Sequence, residues 1–259
     1  STSFNKVFRE EGENCPESIL ELQCTANAQY SQSNEVGSQF AQVQGVRGSG
    51  QWDLGWGWNC PTQLLADAFE AGDPRKDETL LYFAKSEAEA AIMQPNTPYN
   101  EKPIAANNVV NKYYNKKAYT NPALRNTYSK AGHWFNIRLI RYSDVLLMAA
   151  EAANELGNSA QALVYLEQVR ARARAGNNAI LPSVTTTVQS ELRDAIRHER
   201  RVELAMEFDR FYDLVRWNID VETLHNAGKT AYQTKHRLLP LPQAQIDRSN
   251  GVLVQNPNY

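Results

Sequence analysis

The segment RLIRYSDVLLMAAEAANELGNSAQALVYLEQVRARARA, residues 138–175, decides the fold, because it holds two helical repeats separated by a short turn. Over residues 138–156, apolar side chains recur at the spacing of one helix face. They are Leu139, Tyr142, Leu146, Ala149, Ala150 and Ala153. Gly157-Asn158 predicts the end of this helix, and Ser159 predicts the N-cap of a second helix over residues 160–175.

The second helix also has one apolar side, and its members include small alanines. They are Ala162, Leu163, Leu166, Val169 and Ala173. Two such helices joined by a tight turn predict a hairpin of the tetratricopeptide type. Because a single hairpin cannot bury both of its faces, we expect packing partners from elsewhere in this chain or from another chain.

A third, long helix is predicted over residues 188–217, with an apolar ladder that charged residues interrupt. Its members are Leu192, Ile196, Glu199, Glu203, Met206 and Arg210. Unpaired charges are costly to bury, so we expect Glu199 and Glu203 to form ion pairs, with Arg200, Arg201 and Arg210 as candidate partners. The two carboxylates could also be a glycosidase pair, but the many arginines around them favour the ion-pair interpretation by roughly 10:1.

The first half of the chain has a different character, since Gly, Pro and Asn separate its short periodic segments. We predict a helix over residues 62–71, short strands over 80–84 and 109–114, and loops elsewhere; residues 17–24 fit a strand or a helical turn equally well. The last residues, 236–259, are predicted to be extended. Residues 1–136 are therefore interpreted as a loop-rich ligand-binding subregion, and residues 137–259 as a helical scaffold with an extended tail, together forming one compact domain.

Composition and motifs favour a soluble binding module over an enzyme. The 259 residues carry a net charge of -2 and no basic run, which argues against nucleic acid as a partner, and no apolar stretch is long enough to cross a bilayer. Nucleophile-elbow, phosphate-loop and zinc-protease motifs are missing, and no cofactor or metal is predicted. The three cysteines are interpreted as small buried thiols, although a Cys15–Cys24 disulfide remains possible.

The strongest candidate for ligand binding is the run QWDLGWGWN, residues 51–59, which holds three tryptophans alternating with glycines. An exposed indole offers a flat apolar face, and glycine permits a close approach of backbone to ligand. Trp58 is expected to cover the helix at 62–71, whereas ligand contact and packing are equally expected for Trp52 and Trp56. The candidate residues are Trp52, Asp53, Trp56, Trp58 and Asn59, with Tyr113 and Tyr114 as a second surface.

Five segments, in the same order, resemble the carboxyl-terminal region of the SusD/RagB family of nutrient-binding lipoproteins from Bacteroidetes. They are CPESILELQ (15–23), PTQLLADAFEAGDPRKDETL (61–80), NIRLIRYSDVLLMAAEAANELG (136–157), IRHERRVELAMEFDRFYDLVRWN (196–218) and LLPLPQAQIDRSNGVLVQNPNY (238–259). Asn258 replaces the family's usual glycine, and both residues tolerate a positive φ. The family's upstream helices, export signal and lipidated cysteine are not in this sequence, so we expect the chain to be a fragment.

The resemblance implies a mainly α, SusD-like fold: a tetratricopeptide-like hairpin and a long C-terminal helix, with a loop-rich insert and few short strands. It further implies a non-catalytic protein that binds glycan or oligosaccharide nutrients at the cell surface. The implied partner is a SusC-like TonB-dependent transporter of the outer membrane, and the implied membrane attachment is a lipid anchor outside this chain. A protein- or peptide-interaction scaffold of the tetratricopeptide type is the alternative function.

Overall fold

The computed structural model of the chain describes residues 2–25, 37–102, 109–127 and 132–259. These residues form two compact units, Ser1–Glu207 and Phe208–Tyr259. The predicted subregion boundary at residue 136 falls inside the first unit and remains a prediction. The described part of the chain is mainly helical with few short strands, which confirms the predicted fold class.

The helices are, in chain order, α1 (Phe4–Val7), α2 (Phe40–Gln44), α3 (Gln63–Ala66), α4 (Pro74–Thr79), α5 (Glu87–Ile92), α6 (Pro122–Thr127), α7 (Tyr142–Glu155), α8 (Ser159–Arg174), α9 (Gln189–Glu203), α10 (Asp209–Arg216), α11 (Asp220–Asn226) and α12 (Gln243–Arg248). The strands are β1 (Ser18–Leu22), β2 (Leu80–Tyr82), β3 (Tyr113–Asn115) and β4 (Ile137–Arg141). No helix within the described ranges combines the length and the apolar character needed to cross a membrane.

The predicted hairpin is α7 and α8, which pack against each other, and α9 completes their core. Buried residues from all three helices form one cluster, which contains Leu146, Leu147, Ala150, Ala162, Leu166, Val169, Leu192 and Ile196. The expected packing partner thus comes from the same chain. The cap of α8 is one residue earlier than predicted, because the side chain of Asn158 accepts a hydrogen bond from the backbone N–H of Gln161 at 3.1 Å.

Two predicted helix boundaries are wrong. Residues 137–141 form a strand, because β4 pairs antiparallel with β1 and satisfies its backbone groups there, from Ser18 opposite Arg141 to Leu22 opposite Ile137. The same pairing resolves the ambiguity at residues 17–24 in favour of a strand, over Ser18–Leu22. The single helix predicted over residues 188–217 is interrupted between α9 and α10, where Met206 and Phe208 adopt left-handed backbone angles with φ of 69° and 79°.

The first half of the chain contains a core of its own. The predicted strands are shorter than expected but real, since β2 and β3 pair antiparallel with Leu81 opposite Tyr114. Buried side chains around them include Val46, Trp52, Leu54, Leu81, Phe83 and Tyr114. The predicted helix at 62–71 is only one turn, α3, capped by Thr62. The tail is not wholly extended because it contains α12, and Asn258 adopts a positive φ of 69°, which asparagine tolerates as glycine does.

Candidate functional site

The tryptophan loop, residues 51–59, is held against the segment 42–46 by backbone hydrogen bonds. The N–H groups of Leu54 and Gly55 both donate to the carbonyl of Val46 at 3.0 Å. The N–H of Trp56 donates to the carbonyl of Gln42 at 2.9 Å, and that of Trp58 to the carbonyl of Val43 at 2.8 Å. The positions of the Trp56 and Trp58 indoles are therefore set by a hydrogen-bonded backbone rather than by a free loop.

The glycines of this loop serve its own packing. A Cβ added to Gly55 would lie 2.1 Å from the carbonyl oxygen of Gln42 and 2.8 Å from the Cα of Gly45. Gly57 has a φ of 68°, which side chains rarely adopt. The glycine positions, interpreted from the sequence as points of ligand approach, instead allow two backbone segments to come together.

Trp56 and Trp58 form an exposed pair on the outer side of the loop. Their ring centroids are 4.9 Å apart with 55° between the ring planes, and 37% of Trp56 and 61% of Trp58 is accessible to solvent. They line an open cleft of about 530 Å³, the tryptophan cleft, together with Arg47, Gly48, Asp53 and Gly55. The cleft thus combines two apolar ring faces with one cationic and one anionic side chain.

The structure separates Trp52 from this pair. Only 3% of Trp52 is exposed, and its ring packs edge-to-face on Phe83 at 5.1 Å between centroids. A ligand cannot stack on a ring enclosed in this way, so the predicted ligand contact of Trp52 is corrected to a core role. Trp58 is the opposite case: it was expected to cover the helix at 62–71, but most of its indole is exposed.

The remaining candidates also divide between core and surface. Tyr114 is fully buried, and its hydroxyl donates to the carbonyl of Arg47 at 3.2 Å, so it supports the tryptophan cleft from beneath. Asn59, at φ 51°, donates from Nδ2 to Oε1 of Gln44 at 3.0 Å and holds the end of the loop. Tyr113 does not join the tryptophan cleft but lines a different one.

Cys60 anchors the loop end from inside. Its thiol donates to the carbonyl of Gly57 at 3.2 Å, and its sulfur accepts from Nδ2 of Asn111 at 3.2 Å. Burial raises the pKa of Cys60 to about 11, so this thiol stays protonated and unreactive at neutral pH. All three cysteines are free and partly buried, so the Cys15–Cys24 disulfide considered above is not formed.

The carboxylates of α9 lie in a buried ion-pair network, as predicted, but with other partners. Arg75 Nη1 is 3.1 Å from Oε2 of Glu203 and also contacts Glu199. Arg141 Nη1 lies 3.1 Å from Oε1 of Glu203, and Arg172 contacts the same carboxylate.

The arginines named from the sequence serve elsewhere or lie in the second unit. Arg200 pairs with Asp144 at 2.8 Å, and Arg201 donates to the carbonyl of Leu64 at 2.8 Å. Arg210 belongs to the other unit. The partners of Glu199 and Glu203 come instead from distant segments, which spacing along one helix does not reveal.

Electrostatics in the network oppose an acid–base role for Glu203. Burial alone would raise the pKa of Glu203, but the charges of Arg172, Arg141 and Arg75 lower that pKa well below its ordinary value. A carboxylate held ionised by three guanidinium groups has no proton to donate, and its complete burial keeps a substrate from reaching it. Among the described residues, no group of three or more His, Cys, Asp or Glu side chains could hold a metal ion.

A family model described as "SusD family" matches residues 16–259. Two curated relatives come from Formosa agariphila. "SusD-like protein P2" is 31% identical over 240 residues, which are 89% of this chain and 46% of that protein. "SusD-like protein P25" is 37% identical over 130 residues, which are 48% of this chain and 24% of that protein. The chain thus spans about half the length of the first relative and less of the second.

Solved structures share the fold over nearly the whole chain. "Surface glycan-binding protein A" from Bacteroides thetaiotaomicron matches with a TM-score of 0.75 and 23% identity, covering 99% of this chain and 55% of that one. The same protein in complex with laminarihexaose matches with a TM-score of 0.74 and 22% identity, again over 99% of this chain and 55% of that one. At these identities the likeness shows a common fold.

Proposed function

This chain belongs to the SusD family, and from that membership we propose that it captures oligosaccharide nutrients at the cell surface without chemically altering them. The family match confirms the resemblance seen in the five sequence segments. A relative of the same fold, at low identity, is a surface glycan-binding protein whose structure contains laminarihexaose. The ligand class is carried over to this chain as part of the proposal.

The observation that carries the proposal is the exposed pair of Trp56 and Trp58 over the tryptophan cleft. Sugar rings present apolar C–H faces and polar hydroxyl edges, which suit a flat indole bordered by hydrogen-bonding groups. The carboxylate of Asp53 and the guanidinium of Arg47 line the same cleft and can accept from and donate to hydroxyls. The backbone hydrogen bonds to residues 42–46 hold this arrangement before a ligand arrives, which reduces the entropy cost of binding.

We further assign the captured glycan to uptake through a SusC-like TonB-dependent transporter, with the protein attached to the outer membrane by a lipid anchor outside this chain. This assignment is supported by the family alone. A pull-down of the full-length lipoprotein from outer-membrane extracts tests it, with co-purification of a TonB-dependent transporter as the expected result. Recovery of the lipoprotein without any such transporter contradicts it.

Calorimetric titration with a panel of neutral hexasaccharides, including laminarihexaose, tests glycan capture. We expect binding of at least one member, weakened by about tenfold or more in Trp56→Ala and Trp58→Ala, which corresponds to about 1.4 kcal/mol. Tyr142→Ala is the matched control, because it removes a half-exposed aromatic ring of α7 that does not line the tryptophan cleft. Equal affinities in all variants would refute the role of Trp56 and Trp58 in binding. Release of shorter products from a bound glycan would refute the non-catalytic assignment.

The alternative function, a scaffold for a protein or peptide partner, is favoured by one feature of α7. Tyr142, Val145 and Met148 are exposed apolar residues spaced three apart along this helix. Such a stripe suits an amphipathic partner helix. A blank glycan panel, together with peptide binding that is lost on Val145→Asp, would support this function in place of glycan capture.

A further inference from the structure

A second cleft, of about 690 Å³, opens beside the β2–β3 pair and α5. Two of its walls are Tyr82 and Tyr113, which face each other across the strands. Their ring centroids are 5.7 Å apart with 49° between the planes, and both side chains are half-buried. This tyrosine cleft shares no lining residue with the tryptophan cleft.

The tyrosine cleft contains a hydrogen-bond acceptor that no described residue satisfies. Asn96 lines the cleft, and its Nδ2 donates to the carbonyl of Tyr82 at 3.2 Å, which fixes the orientation of its amide. Among the residues that the structure describes, none donates to the buried Oδ1 of Asn96. A ligand hydroxyl that reached this oxygen would satisfy an acceptor that the fold leaves unpaired.

Charges around the tyrosine cleft nearly cancel. The basic side chains in its lining are Lys76 and Lys116, and the acidic ones are Asp77, Glu78 and Glu89. Lys116 is nearly buried and already engaged, since its ammonium donates to the carbonyl of Asp77 at 2.7 Å and lies 3.6 Å from Glu78. A cleft of this kind offers no cationic surface for a polyanion, so it suits a neutral ligand.

Lys112 covers the aromatic pair. Its Nζ lies 5.5 Å from the ring centroid of Tyr82 and 5.6 Å from that of Tyr113. The lysine is exposed, and the cation–π attraction at exposed sites is weak. A ring that stacks on either tyrosine can therefore displace this side chain at little cost.

We propose that the tyrosine cleft is a second glycan-binding site for neutral sugar residues, with Tyr82 and Tyr113 as the stacking faces and Asn96 as an acceptor for a sugar hydroxyl. The inference rests on the proposed function for its ligand class, but it concerns a different surface. Two separate aromatic clefts on one chain allow one long polysaccharide to be held at two points, which raises its effective local concentration at each site.

The test uses Trp56→Ala/Trp58→Ala as the background, because all other binding must then come from outside the tryptophan cleft. Calorimetry against laminarihexaose, cellohexaose, maltohexaose, xylohexaose and mannohexaose should show residual binding to at least one of them. That binding should weaken by about tenfold or more on adding Tyr113→Ala, and should persist with Tyr113→Phe, which keeps the ring. Lys112→Ala should leave it unchanged or strengthen it.

A second variant covers the chance that Tyr113→Ala disturbs the fold. Ile92 is 80% exposed on α5 and lines the tyrosine cleft, so Ile92→Arg adds bulk there without touching the core. It should weaken the residual binding by a similar factor while the melting temperature stays at that of the background.

Two results would overturn the second site. One is a background variant that binds none of the five glycans, or binds them equally well with Ile92→Arg. The other is loss of binding on Lys112→Ala, because that would show that Lys112 holds the glycan instead of being displaced from the two tyrosine rings. Failure of the proposed function looks different: there the affinity of the unmodified protein would not depend on Trp56 and Trp58 at all.

Discussion

The ion-pair network on α9 and the tryptophan loop differ in how their side chains are satisfied. The charged groups of the network pair with one another inside the chain, whereas Trp56 and Trp58 remain exposed to solvent. Glu203 is completely buried and contacts Arg75, Arg141 and Arg172. Trp58, in contrast, leaves 61% of its surface to solvent while its backbone is fixed. A buried set of satisfied charges stabilises and specifies the fold, whereas a fixed but exposed aromatic pair is suited to a ligand.

The two regions also differ in how the chain assembles them. The network joins residues from β4, α4, α8 and α9, which are far apart in sequence. The residues that line the tryptophan cleft all come from the segments 47–48 and 53–58, which lie next to each other along the chain. Damage to the network should therefore affect the stability of the whole first unit, and damage to the loop should remain local.

The largest effect of removing a charge is expected for Glu203→Ala. Removing this carboxylate leaves three guanidinium groups without their shared anion in a buried site, which costs about 3–5 kcal/mol of unfolding free energy. Urea denaturation measures the loss. Glu155→Ala is the matched control, because Glu155 pairs with Arg193 at 2.6 Å on the surface, where an ion pair contributes little. Similar losses in both variants would contradict the central role of the network.

A pH-dependent effect is expected from Lys117, a buried lysine that joins the network through Glu207, which also pairs with Arg141. Its Nζ lies 2.6 Å from Oε1 of Glu207, and burial lowers the pKa of Lys117 to about 8. Between that value and the ordinary 10.5, the unfolded state binds more protons than the folded state, so stability rises with pH over this window. The difference in unfolding free energy between the protein and Lys117→Met should grow by on the order of 2–3 kcal/mol from pH 7.5 to pH 10.

The control for this pH dependence comes from the loop. Trp58→Ala removes no titratable group, so its unfolding free energy should follow that of the unmodified protein from pH 7.5 to pH 10. If Lys117→Met also stays parallel to the unmodified protein, Lys117 is not charged differently in the two states, and the network has no titrating lysine.

Sequence patterns predicted the hairpin because the contacts of α7 and α8 are local and repeat every three to four residues. They also predicted that Glu199 and Glu203 would be paired, since burial of unpaired charge is costly anywhere. Arg75 and Arg141 could not be identified as partners, because only the tertiary fold brings them to α9. The strand at 137–141 was missed for a similar reason: its partner β1 lies more than a hundred residues earlier.

The division within the tryptophan loop was equally inaccessible from the sequence. Trp52, Leu54, Trp56 and Trp58 all occupy alternate positions, yet the first two are buried and the last two are exposed. Trp52 is buried because Phe83, from a distant segment, lies against its ring. The local signal located the right loop but could not assign a role to each indole.

A smaller stability effect is expected for Gly55→Ala, which disturbs the backbone hydrogen bonds between the tryptophan loop and residues 42–46. The new Cβ would lie 2.1 Å from the carbonyl oxygen of Gln42, so the two segments must separate. Overpacking of this kind costs about 1–3 kcal/mol, and the displaced loop should also bind glycan more weakly. Gln51→Ala, at an exposed position of the same loop, is the control for thermal melts and titrations. A Gly55→Ala variant with unchanged stability and affinity would show that these backbone hydrogen bonds do not position the indoles of Trp56 and Trp58.

The smallest stability effect is expected for Trp58→Ala, although its effect on glycan affinity should be clear. An indole that is mostly exposed contributes little to folding, so the unfolding free energy should change by no more than about 0.5 kcal/mol. Its buried counterpart, Trp52→Ala, should lose about 3–5 kcal/mol, because it empties part of the core. Chemical denaturation of both variants checks this opposition directly. If Trp58→Ala proved as destabilising as Trp52→Ala, the exposed pair would serve to stabilise the fold. The contrast between the buried ion-pair network and an exposed pair available to a ligand would then no longer hold.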